Sequence, residues 1–113
     1  MGVARERIEE LAMGLPATTK VVQWGDHDVY KVGGKVFAIC GGDSMSFKVT
    51  DIGFLVLTEN GPARQAPYLA KGQWVIVDLA DVDEADAADW MKVSHELIAA
   101  KLTKKARQDL GIA

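Results

Sequence analysis

The chain has 113 residues, enough for one domain with one hydrophobic core and too few for a two-domain layout. With 49% hydrophobic and 26% charged residues it has the composition of a folded globular protein, not of a disordered one. Thirteen bases against 16 acids leave a net charge of −3. That balance excludes a general attraction to nucleic acid or anionic membrane and confines any such contact to a local patch.

Ala4, Ile8, Leu11, Ala12 and Leu15 fall on one helical stripe, with Arg5, Glu6, Glu9 and Glu10 outside it, and Pro16 stops this first helix at or just after Gly14-Leu15. The pattern then changes to short runs of β-branched and aromatic residues divided by Gly and Asp. Four strands are expected: Val21 to Trp24, Asp28 to Val32, Lys35 to Cys40 and Met45 to Val49. Gly33-Gly34, free to take positive φ, closes a two-residue hairpin between the second and third. Asp51 to Glu59 reads as a helix started by Thr50 or Asp51 and stopped by Asn60-Gly61-Pro62. Gly61 to Gly72 is irregular, with a short extended piece at Ala66 to Leu69, and Gln73 to Leu79 is the last strand. Asp81 or Asp83 caps a long helix with the stripe Ala87, Trp90, Met91, Ser94, Leu97, Ile98 and Leu102, ending near Thr103 before a basic tail.

This order predicts an α+β two-layer sandwich over residues 1–113: a helix, three or four strands, a helix, one or two strands and a helix, with the helices against one face of an antiparallel sheet. Charges interrupt the N-terminus where a signal peptide needs an apolar core, and no run approaches the roughly 18 apolar residues of a membrane span. A cytoplasmic protein with no membrane partner is expected. Exposed strand edges leave room for a dimer.

The segment from Trp24 through Gly25-Asp26-His27-Asp28-Val29-Tyr30-Lys31-Val32-Gly33-Gly34-Lys35-Val36-Phe37 to Ala38 resembles the signature hairpin of the MmcQ/YjbR family. Leu15-Pro16, the stretch from Ala66-Pro67-Tyr68-Leu69 to Gly72-Gln73-Trp74-Val75, and Ser94-His95-Glu96-Leu97-Ile98 agree with it in order. The resemblance covers nearly the whole chain and implies a fold similar to the secretion-chaperone type. It also brings with it a suggestion of DNA binding that rests mainly on shape.

The chemistry-bearing residues do not form a catalytic set. Asp26-His27-Asp28 places a histidine between two carboxylates, but neighbours in a strand or turn point different ways and no third ligand is near in sequence, so His27 reads as a turn residue. Cys40 lies in the apolar run Val36-Phe37-Ala38-Ile39 and reads as a small buried hydrophobe rather than a thiolate. Ser94 is expected to let the last helix approach the sheet while its hydroxyl bonds the carbonyl of Trp90. Neither Gly33-Gly34 nor Gly41-Gly42 has the context of a phosphate loop, so both read as turns. The expectation is a non-enzymatic protein without cofactor or metal.

Two binding roles remain. Lys31 and Lys35 flank the Gly33-Gly34 tip as a wing reaching a phosphate backbone would, with Lys48, Lys71 and Arg64 as further contacts, which favours DNA. Six acids, Asp78, Asp81, Asp83, Glu84, Asp86 and Asp89, are concentrated before Met91, and without them 13 bases face 10 acids. Alternatively Trp24, Tyr68 and Trp74 line a groove that takes a protein or peptide.

Overall fold

The computed structural model describes residues 2–112. The first helix, α1 (Arg5–Met13), buries Ile8 and Ala12 from the expected stripe. Four strands follow: β1 (Thr18–Gln23), β2 (His27–Val32), β3 (Lys35–Gly41) and β4 (Ser44–Lys48). Helix α2 (Asp51–Glu59) begins where the Thr50 hydroxyl accepts the Gly53 N–H at 3.0 Å, a side-chain cap that fixes its first turn. Strands β5 (Ala63–Gln65) and β6 (Trp74–Asp78), a 3₁₀ turn at Leu79–Asp81, and helices α3 (Glu84–Ala99) and α4 (Lys104–Leu110) complete the chain.

The six strands form one antiparallel sheet in the order β1-β2-β3-β4-β6-β5. The expected α+β, antiparallel architecture is the one found. Side chains alternate across a strand, so the register divides the sheet into two faces. Tyr30 pairs with Ala38, Ala38 with Phe47 and Phe47 with Val75. These buried residues form one face, on which α1 and α3 lie with Ile8, Ala87, Met91 and Ile98 in one cluster. Val29 pairs with Ile39, Ile39 with Ser46 and Ser46 with Ile76, and these point to the opposite, outer face.

Three sequence expectations are corrected. The extended piece after α2 is β5 at Ala63–Gln65, not Ala66 to Leu69: the chain turns after Ala66, and the Gln65 side chain bonds the carbonyls of that turn. The last helix stops at Ala99, and the basic tail is a separate helix. There the Thr103 hydroxyl accepts the Ala106 N–H at 3.0 Å and caps α4, and Gly111 closes it in the left-handed region at φ 75°. Finally, Ser94 bonds across to the sheet and not along its own helix. Its hydroxyl donates to the Phe37 carbonyl at 2.6 Å and accepts the Lys48 N–H at 2.9 Å, bridging β3 and β4 just beyond the last pair of their ladder, Ala38 with Phe47.

Candidate functional site

The outer face is where the sequence leaves large apolar side chains without a helix above them. A cavity of about 500 Å³ opens there, lined by Ile39, Ser46 and Ile76 from three adjacent strands, by Trp24 and His27 at one end, and by Pro67, Tyr68 and Leu69 above. Its floor is apolar apart from the Ser46 hydroxyl, and no lysine, arginine or carboxylate lines it.

Trp24 opens the turn between β1 and β2. Both Trp24 and Gly25 have positive φ, 52° and 86°, so the turn places a bulky indole in the left-handed region that favours glycine. Two anchors hold it. His27 Nδ1 donates to the Trp24 carbonyl at 3.0 Å, and the imidazole meets the indole edge-on with centroids 6.5 Å apart. From α1, Arg5 Nε donates to Asp28 Oδ2 at 3.1 Å, and the same guanidinium bonds the Asp26 carbonyl. The Asp28 carboxylate bond is the chief reason the Arg5 guanidinium holds its proton above the ordinary range.

Tyr68 stands on the turn between β5 and β6. Gln65 staples that turn: its Nε2 donates to the carbonyls of Ala66 at 2.8 Å and Leu69 at 3.3 Å, and its Oε1 accepts the Gly72 N–H at 2.9 Å. The Ala66 N–H is held by the Trp74 carbonyl at 3.1 Å. Tyr68 itself has φ 64° and is fully exposed, while Trp24 is 63% exposed. The two aromatic residues with left-handed backbones thus stand on the same cavity.

His27 reaches the cavity wall because β3 carries no side chain at Gly41. A Cβ built there would lie 2.2 Å from His27 Cδ2, so the imidazole occupies the space a side chain would need.

The remaining residues singled out from sequence are distributed differently. Trp74 is not among the cavity residues; it is half-buried, opposite Lys48 in the β4–β6 register, and its indole packs against the core cluster. Lys48 departs from a phosphate-contacting role, since it is 7% exposed and its Nζ donates to Gln73 Oε1 at 2.7 Å. Burial, with the neighbouring Lys101 charge, pushes the Lys48 pKa down. Lys31 is half-buried, whereas Lys35 and Lys71 are exposed. At the hairpin tip between Lys31 and Lys35, Gly33 lies so close to Leu102 that a Cβ would be 2.7 Å from its Cδ1, while both glycines of the tip stay exposed. Arg64 pairs with Asp78 at 3.3 Å. Cys40 is fully buried, and desolvation pushes its thiol up to about 11, a protonated group at neutral pH. Asp28 faces Arg5 and Lys20. Among the described residues no helix is long and apolar enough to cross a membrane.

A six-stranded antiparallel sheet with helices on one face and an aromatic-rimmed cavity on the other defines a small α+β domain. The YjbR family model matches residues 13–97, and the chain belongs to that family. The crystal structure of a Deinococcus radiodurans protein with a DUF419 domain superposes with a TM-score of 0.84 at 24% identity, over 94% of this chain and 86% of that one. A Pseudomonas syringae protein of known crystal structure gives a TM-score of 0.72 at 17% identity, over 85% of this chain and 99% of that one. These likenesses bear on the fold. Among curated proteins, no match is found.

Proposed function

We propose that this YjbR-family domain is a peptide-binding module whose outer sheet face takes an extended segment, with one apolar or aromatic side chain seated between Trp24 and Tyr68. The observation that carries this is the pairing of two costs at one place. A left-handed backbone costs a bulky residue on the order of 1 kcal/mol or more, and an exposed aromatic ring returns little of the burial energy its area offers. Trp24 and Tyr68 incur both and share one cavity. A bound apolar side chain recovers the burial, and the strained turns keep both rings in position before binding.

The cavity's neutral lining favours an uncharged side chain over a phosphate. DNA has less support: of the four lysines expected to meet it, Lys48 is spent on Gln73 and Lys31 is half-buried.

The test is an array of overlapping ten-residue peptides, rich and poor in aromatic, leucine and proline residues, probed with labelled wild-type protein and with folded Trp24→Ala and Tyr68→Ala variants. Wild type is expected to retain peptides with an apolar anchor, and each variant to lose them by tenfold or more. Equal retention by wild type and both variants overturns the reading. So does an absence of peptide binding alongside salt-sensitive binding of a labelled duplex.

A further inference from the structure

On the helical side of the sheet, away from the aromatic cavity, a second cavity of about 450 Å³ lies between the end of α1, α3 and the C-terminal helix. We propose that it is a binding site for a small amphiphilic monoanion, a carboxylate carried on a short apolar chain.

The inference begins with charge. Lys92 and Arg107 both line the cavity, and the ion pairs found among the described residues involve neither of them. The Nε of Arg107 is buried without a hydrogen-bond partner among the described residues. That nitrogen is closed off from solvent, so an anion in the cavity would pair with the remaining donors of the half-buried guanidinium, as charge-assisted hydrogen bonds. Glu96 also lines the site, so two cations face one acid, and the lining matches a single negative charge better than a doubly charged phosphate.

The remaining wall selects the body of the ligand. Leu15, Ala99 and Ile112 are apolar. His95 is fixed as structure: its Nε2 donates to the Pro16 carbonyl at 2.7 Å and its ring meets Phe37 edge-on with centroids 5.2 Å apart. That bond joins α3 to the turn that follows α1. A volume of this size lies within the range of small-ligand sites and holds a chain of several carbons.

Isothermal titration at low salt with hexanoate, hexanol and inorganic phosphate tests the proposal on the whole chain. Hexanoate is expected to bind with a dissociation constant on the order of 1 mM, with hexanol and phosphate each weaker by tenfold or more. Arg107→Met retains apolar bulk without the charge and should weaken hexanoate at least tenfold; Lys92→Met should do the same. Variant folding is checked by circular dichroism, and Trp24→Ala, far from this cavity, should bind hexanoate as wild type does. The proposal is overturned by no hexanoate binding at about 10 mM, by hexanol binding as tightly, or by unchanged affinity in both charge variants.

Discussion

A single missing side chain shapes the aromatic cavity. Gly41 adopts no left-handed conformation, so its role is steric: the imidazole of His27 lies where a Cβ would be, 2.2 Å from the nearest ring carbon. Gly41→Ala must therefore displace His27 and with it the bond to the Trp24 carbonyl. Overpacking of this kind costs about 1–3 kcal/mol. In a His27→Ala background the same change meets no ring, and alanine suits a strand better than glycine does, so the cost should fall to zero or reverse. Urea unfolding of the four proteins measures the coupling. Equal costs in the two backgrounds would show that the ring is not the obstacle. The sequence offered Gly41-Gly42 only as a turn, because the clash depends on β2 lying beside β3, which no spacing in the chain reveals.

Elements in this fold are joined by polar bonds as much as by apolar stripes. Ser94 on α3 is completely buried, and its one hydroxyl serves the Phe37 carbonyl and the Lys48 N–H together. Ser94→Ala leaves two buried backbone groups without partners, and the expected loss is about 2 kcal/mol, read as a lower urea midpoint with unchanged slope. A loss below a few tenths would mean that the strands close on each other without it. What was legible at this scale followed local chemistry. The boundaries of α2 could be read because Thr50 caps one end and Asn60-Gly61-Pro62 breaks the other. Thr103 carries the same capping chemistry, but from sequence it reads as the end of the long helix and not as the start of another, so α4 in the basic tail is missed. Likewise Tyr68 stands out as a large aromatic in a Pro- and Gly-rich loop, whereas Trp24 reads from sequence as the end of a strand and is found in the turn after β1, and Ile39, Ser46 and Ile76 become neighbours only through the strand order β3-β4-β6. Lys48 alternates outward as a surface lysine should. In the structure it is buried instead, with its Nζ bonded to Gln73, a residue expected to begin the last strand and found in the turn just before it.

Across the whole molecule, charge placed as poles along the sequence becomes ties between distant elements. The acids at the start of α3 favour the positive end of its dipole, and one of them does more: Glu84 accepts two bonds from Arg7 of α1, Nε to Oε1 at 2.7 Å and Nη2 to Oε2 at 3.2 Å. The Arg7 hydrogen bond holds the Glu84 carboxyl below its ordinary range. A carboxylate whose pKa is lower folded than unfolded contributes stability that is complete above the unfolded value, about 4.3, and is lost as the pH falls through the folded one. Wild type should therefore exceed Glu84→Gln in urea midpoint at pH 7, and the gap should close as the pH is lowered from about 4.3 toward 3. The pair is half-exposed, so the gap at pH 7 is small and shrinks with added salt. Arg7→Gln distinguishes the ion pair from the helix dipole, because it leaves Glu84 at the start of α3. If the pair is responsible, both variants lose the same pH-dependent increment; if only Glu84→Gln shows it, the dipole alone accounts for the effect and the tie between α1 and α3 contributes nothing to folding.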